Sequence, residues 1–498
     1  MKKIAKKTLI KTINGSIALL ASFGLVFGLA FADKTSPFLD FNHPKKTLSY
    51  YAATPQKTIW NITDQSVTPF STPGAHSPIN QQDNSDNKFS YGALVVDGAT
   101  HQVLDKSFNQ SGYQGLVDWI WNNPWFDGSP SIQAKPPKDS LPAAPGEAKG
   151  VKPGSDNSND FWQTYDSLVN NNFKTLVLPG YMHQTGLSGF QAHSLPNYQK
   201  AGYILLDANT PEDRNIASVI FRADQAAFLT GIAICQYLND NFDEYSSGGL
   251  RVGSFGGIAI PSVTIYMGGL EYGIESWNQN VNDIAKKEGW TNPEDHKVNF
   301  INLGQPDSFF SNSFSMGDGK PLVQALLQRG ADAILPVAGP QTMDAVKEIR
   351  AYKSNCAIIG VDTAQELDPT INLKSVYTDK SGDDRIVKFS AVKNISNVTS
   401  KILALSMAGE STDDSWNGIG SFGYLTVADI TNNGIESSDP SWPYLLEFIE
   451  NFTDDPIPQD KTEWWSFIIQ HLEELSDTGT NIPYLEMLSQ EDHMAFRV

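Results

Sequence analysis

The string Asp105-Lys106-Ser107-Phe108-Asn109-Gln110-Ser111-Gly112 sets an aromatic ring beside an amide in an otherwise polar stretch. A ring offers a stacking face and an amide offers a two-way hydrogen-bonding edge, a pair suited to a flat heterocycle. Just upstream, the apolar run from Tyr91 stops at the carboxylate of Asp97. A buried parallel strand that ends in a polar group, followed by a polar loop feeding a helix from about Ser111, presents that group where open α/β sheets bind ligands. The same logic selects Asp362, which closes the run Ile358 to Val361. A carboxylate there can accept hydrogen bonds from both hydroxyls of a vicinal diol. Gly339, after Ile334 to Val337, lets a backbone approach a ligand closely. Lys393, after Ser390-Ala391-Val392, would balance a carboxylate in a closed cleft.

The elements that must position these residues alternate. From Tyr91 onward, short apolar runs (93–96, 175–178, 203–206) are separated by helical stretches at 112–122 and 160–170. The second half repeats the pattern, with strands at 217–221, 251–255, 297–303, 333–337 and 357–361 between helices at 225–238, 262–278, 320–329 and 341–352. This βα alternation predicts parallel sheets covered by helices. At 498 residues, the chain exceeds one ordinary core. The fold class expected is α/β, as two doubly wound Rossmann-like lobes joined by a hinge. Lobe 1 is expected over 89–210 plus about 364–395, and lobe 2 over 211–363 plus about 396–435. A strand at 386–392 is expected to cross back to lobe 1, followed by a helix at 397–407. Residues 33–88 read as a polar extension, 127–159 as a mobile surface insertion, and 436–498 as a helical extension carrying Trp442, Trp464 and Trp465.

With these pieces in order, the sequence resembles the basic membrane protein family, the PnrA-like nucleoside receptors of bacterial ABC importers. The resemblance rests on the Asp105 to Gln110 string after a strand ending in Asp, on Phe221 to Gly231, and on Gly256-Gly257 with Pro261 and Tyr266. It extends through Gly330 to Ile334, Ala338-Gly339, Ile359 to Asp362 and Ser390 to Asn394, so it covers about residues 90 to 435. It implies a type I periplasmic-binding-protein-like fold and a purine nucleoside, or similar small solute, held between the lobes for an ABC permease. It further implies that Asp97 meets the base, Phe108 stacks on it and Asn109 reads its edge, while Asp362 and Lys393 serve the ribose. A second aromatic should come from Phe309, Phe310 or Phe314, and Phe310 is the choice. This sequence departs from the family pattern at Ala364, where an acidic residue is expected, and at Pro340-Gln341-Thr342-Met343, where glycines are expected. The sugar-facing half of the pocket is where those departures fall.

Composition narrows the partners. A formal charge of -20 disfavours nucleic acid and anionic lipid, because phosphate would be repelled. Five lysines by position 11, an apolar stretch from Ile17 to Phe31 and Ala30-Phe31-Ala32 before Asp33 read as a secretory signal. It either is cleaved near Asp33 or stays as an anchor, and no cysteine stands there for the lipid attachment usual in the family. An extracytoplasmic site at the outer face of the cell membrane follows, with membrane association through this segment or the permease. Cys235 and Cys356 are expected as buried free thiols, and His183 as a satisfied loop histidine. No phosphate loop, nucleophile elbow, zinc pattern or paired catalytic carboxylates is present, so no cofactor, metal or catalysis is expected. The competing reading is a surface adhesin or structural envelope protein built on the receptor fold, motivated by the two extensions and the absent anchoring cysteine.

Overall fold

In the computed structural model, the described residues are 59–60, 92–96, 103, 105–122, 149–406 and 425–477, the last two ranges with short gaps. The chain begins with β1 (Ile59–Trp60), β2 (Ala93–Val95) and α1 (Phe108–Asn122), then β3 (Lys149–Val151), α2 (Ser158–Asn170), β4 (Thr175–Pro179) and α3 (His183–His193). Next come β5 (Gly202–Leu206), β6 (Ile216–Phe221) and α4 (Ala223–Asp240). The second half holds β7 (Leu250–Gly256), α5 (Pro261–Glu288), β8 (Val298–Phe300), α6 (Lys320–Gln328), β9 (Ala333–Val337), α7 (Thr342–Tyr352) and β10 (Ala357–Asp362). It ends with β11 (Val387–Lys393), α8 (Ile395–Ser406), β12 (Leu425–Ala428), β13 (Ile435–Ser437), α9 (Trp442–Glu450) and α10 (Trp464–Asp477).

Two sheets result. The first has the order β1-β12-β6-β5-β4-β2-β3, with its described pairs parallel. The second runs β13-β11-β10-β9-β7-β8 and is parallel except for β13 against β11. Buried strands such as Thr175–Pro179 and Ala333–Val337 are apolar without alternation, because helices cover both faces. The chain passes between the sheets three times, after β6, after β11 and after β12. This is the two-lobed arrangement expected, in type I periplasmic-binding-protein form.

The sheets divide the chain differently from the expectation. β6 was assigned to lobe 2 and pairs with β5 in the first sheet; β11 was assigned to lobe 1 and pairs with β10 in the second. α8 packs on α1, and Gly115 makes the approach possible: a Cβ there would lie 2.5 Å from the carbonyl oxygen of Ser396. An apolar β-rich run reads alike on either sheet; the pairing partner decides, and that is not written locally. The polar extension supplies edge strand β1, and the tail of the proposed insertion supplies β3 beside β2. Residues 1–32 and 127–148 lie outside the described residues. Cys235 and Cys356 are buried free thiols. Among the described residues, no helix is long and apolar enough to cross a membrane.

Candidate functional site

Helix α1 starts at Phe108, earlier than its apolar periodicity indicates, because Asp105 organises the turn before it. The Asp105 carboxylate accepts the backbone N–H groups of Ser107, Asn109 and Gln110, each at 3.0 Å, and the Asn109 side-chain amide, also at 3.0 Å. Three orphan donors of the helix start are thereby satisfied. Lys106 adopts φ 60°, and its N–H donates to Gln110 Oε1 at 3.0 Å. The turn places Ser107 and Phe108 at the cleft and sends Asn109 inward.

The cleft holds a partly open cavity at the strand ends, lined from both lobes. Phe108 and Tyr181 line it from the first lobe, and Tyr266 and Phe314 from the second. Its polar end is built at strand termini. Asp207 follows β5 and Asp362 closes β10, with φ values of 60° and 62°, in the left-handed region that non-glycine residues seldom adopt. Lys393, at the end of β11 and 3 % exposed, pairs closely with Asp207 and lies 3.6 Å from Asp362 Oδ1. Its ammonium sits 4.9 Å from the Tyr266 ring centroid and 5.4 Å from that of Phe108. The Tyr266 hydroxyl donates to Asp362 Oδ1 at 3.0 Å, and the Ser107 hydroxyl to Asp362 Oδ2 at 2.7 Å.

Burial pushes the Asp207 carboxyl above the usual carboxylate range, and Lys393 beside it opposes that rise. Burial also holds the Tyr266 hydroxyl protonated, well above the ordinary tyrosine value, with the Asp362 charge adding to the effect. A buried lysine between two carboxylates compensates both, which is what makes three charged groups tolerable there.

Of the residues selected from sequence, Phe108, Gly339, Asp362 and Lys393 line this cavity together. Asp97 lies outside the described residues. Asn109 is corrected: it is fully buried, with its amide committed to Asp105, and is not in the cavity wall. Phe310 is corrected too. It packs in the core against Gly256, Phe309 is 0 % exposed, and Phe314 alone of the three faces the cavity. Gly257 allows this, since a Cβ there would sit 2.5 Å from the Phe314 ring. The segment pairs with the strand end through Ser311 N–H to Gly256 O and Ser313 N–H to Gly257 O, so register picks the ring. Asp207 was missed although its signal was present: Tyr203 to Leu206 is an apolar strand stopped by a carboxylate, the pattern that selected Asp97 and Asp362. Tyr266 and Ser107 were quoted in the sequence pattern without a site role, because helix-borne and loop-borne hydroxyls announce no partner.

The remaining candidates have structural places. His183 begins α3, buried rather than in a loop, with Nδ1 2.6 Å from the Tyr165 hydroxyl, and burial lowers its pKa to about 3. Asp224 pairs with Arg222 at 2.8 Å, and Gln225 Oε1 accepts the Ile430 N–H at 3.0 Å.

Residues 89–294 match the family of ABC transporter substrate-binding proteins described as PnrA-like. The matched stretch, less than half of the chain, is similar to that family. An uncharacterized lipoprotein of Mycoplasma pneumoniae is 27% identical over 423 residues, which cover 71% of this chain and 62% of the relative, so the match spans under two thirds of that protein. An uncharacterized lipoprotein of Mycoplasma genitalium is 26% identical, over 71% of this chain and 68% of its own length. The ABC transporter nucleoside-binding protein BmpA of Lactococcus lactis subsp. cremoris is 22% identical, over 69% of this chain and 80% of that protein. Among solved structures, the solute-binding protein of an ABC transporter system from Aeropyrum pernix K1 aligns with a TM-score of 0.49 and 19% identity, covering 80% of this chain and 90% of that one. The match to that family takes in Phe108, Asp207 and Tyr266 of the cavity wall, whereas Phe314, Gly339, Asp362 and Lys393 lie beyond it.

Proposed function

We propose that this PnrA-like chain captures a nucleoside-type solute between its lobes, without chemistry, and passes it to an ABC permease at the outer face of the cell membrane. One observation carries the reading: aromatic rings from both lobes, Phe108 and Phe314, share a cavity whose far end is the Asp207–Lys393–Asp362 cluster. Rings supply stacking worth about 1–3 kcal/mol per base, tolerant of base identity. The charged end supplies acceptors suited to sugar hydroxyls. Three carboxylates, Asp105, Asp207 and Asp362, against one lysine make the wall net anionic, so an uncharged nucleoside fits better than a phosphorylated one. The nucleoside-binding relative in Lactococcus lactis supports the ligand class, and the two mycoplasma lipoproteins support an extracytoplasmic, membrane-associated location.

The test is calorimetric titration of the purified chain with guanosine, adenosine, inosine and uridine. Saturable binding is expected with at least one of them, weakened about tenfold or more in Phe108→Ala and in Phe314→Ala. No saturable heat with any nucleoside sinks the reading.

A further inference from the structure

The two lobes touch through groups that lie at the ligand end of the cleft. Ser107 Oγ, from the turn before α1, donates to Asp362 Oδ2 at 2.7 Å across the lobes. Beside it, the Thr363 hydroxyl donates to the Lys106 carbonyl at 3.4 Å, and Lys106 Nζ lies 3.3 Å from Asp368 Oδ2. Ser107 is 1 % exposed, and the Asp105 carboxylate fixes its backbone, so its hydroxyl is aimed rather than free to wander. Gly339 makes room: a Cβ there would stand 3.0 Å from Ser107 Oγ, in a backbone with φ 45°.

Asp362 consequently has both oxygens engaged by the protein, Oδ1 by Tyr266 and Oδ2 by Ser107. A vicinal diol bonds best with one hydroxyl on each oxygen, and the Ser107 hydroxyl already occupies one of the acceptor sites on Oδ2, so it competes with a ligand hydroxyl there. We propose that the Ser107 hydroxyl is a built-in stand-in for a ligand hydroxyl: it latches the lobes together through Asp362 and is displaced when a hydroxyl-bearing solute binds. The latch sets two properties at once. It lets the lobes meet without a ligand bridging them, and it lowers the gain from a ligand hydroxyl, since one hydrogen bond is exchanged for another. The second property rests on the nucleoside reading; the first does not.

The experiment follows both. Single cysteines at exposed Ser188 and Arg350, one in each lobe, accept a donor and an acceptor dye, while the chain's own Cys235 and Cys356 are buried. In the unliganded full chain, Ser107→Ala is expected to lower transfer efficiency, Asp362→Ala to lower it by a similar amount, and the double variant to add nothing. Unchanged efficiency in Ser107→Ala overturns the latch, and so does additivity in the double variant. Lys106→Ala, at a half-exposed position, gives a milder opening and serves if Ser107→Ala folds poorly. In the second arm, a nucleoside and its 2′,3′-dideoxy analogue are titrated into wild type and Ser107→Ala. The affinity ratio between them is expected to rise about fivefold or more in the variant, because the ligand hydroxyl then fills an acceptor otherwise left unpaired. An equal ratio in both proteins overturns the stand-in role. Lowered transfer efficiency together with no nucleoside binding to either protein upholds the latch and removes the nucleoside reading instead.

Discussion

Lys393 stands between two carboxylates and against two rings, so its removal should be felt in stability before it is felt in binding. Asp207 is already pushed toward its neutral form by burial, and Lys393 is the group that opposes this. Breaking one side of a buried ion pair leaves an uncompensated charge, a loss of about 3–5 kcal/mol. Lys393→Met is therefore expected to lower the urea midpoint sharply, and the double variant Lys393→Met/Asp207→Asn to recover most of the loss. If the double variant is no more stable than the single one, the charge argument is wrong and packing of the lysine stem is responsible. At this scale the sequence was legible where a residue's role follows from its position on a strand. Asp362 and Gly339 were placed at the cavity wall that way, and Asp207 obeys the same rule; what they bind is for the titrations to test. It was opaque where a side chain could face either way. Asn109 and Phe310 carry the right chemistry but are turned into the interior, one by the Asp105 turn and the other by pairing with the Gly256 strand end.

Between elements, glycines decide how closely helices approach. α4 and α5 pack backbone to backbone: a Cβ on Gly273 would meet the Phe228 carbonyl oxygen at 2.3 Å, and one on Gly269 would meet the Asp224 carbonyl oxygen at 2.3 Å. Two effects oppose each other at Gly273. Alanine raises helix propensity by about 1 kcal/mol, whereas overpacking against a backbone that cannot turn aside costs about 1–3 kcal/mol. The clash should win, so Gly273→Ala is expected to lower the melting temperature, and a neutral or stabilised variant would show that the two helices can slide apart. These helices are also what joins the chain's first crossing to the second sheet, since α4 leaves β6 and settles on α5, β11 and α9. The helices and strands themselves were legible from periodicity and apolar runs, nearly to the residue at Ala333–Val337 and Lys320–Gln328. Their allocation to lobes was not, because β6 and β11 look like any buried strand, and only the partner across the ladder distinguishes one sheet from the other.

Across the whole molecule, the acidic composition shows its consequence where the carboxy-terminal helices dock. Glu447 on α9 meets Asp240 at the end of α4, with Glu288 at the end of α5 and Glu450 close by, while Lys380 acts on Asp240, Lys287 lines the same groove, and Gln236 donates to Asp240 Oδ1 at 2.8 Å. Three of these acids, Asp240, Glu288 and Glu450, sit at helix carboxyl ends, where the macrodipole disfavours negative charge. Burial, followed by the neighbouring acids, raises the Glu447 pKa to about 7, and burial raises that of Asp240 to about 6. Both folded-state values exceed the unfolded ones, so the folded chain binds more protons than the unfolded chain between about pH 4 and 7. The sign follows: docking is strongest when these groups are protonated and weakens as pH rises through 6 to 7. The slope has a ceiling of about 1.4 kcal/mol per pH unit for one group, reduced by solvent screening of these partly exposed side chains. Urea unfolding at pH 5.5 and pH 8 should therefore show higher stability at the lower pH, with the difference diminished in Glu447→Gln and in Asp240→Asn. If either variant keeps the full wild-type slope, another buried acid carries it, and Asp332, raised to about 7 by burial beside Arg251, is the group to neutralise next.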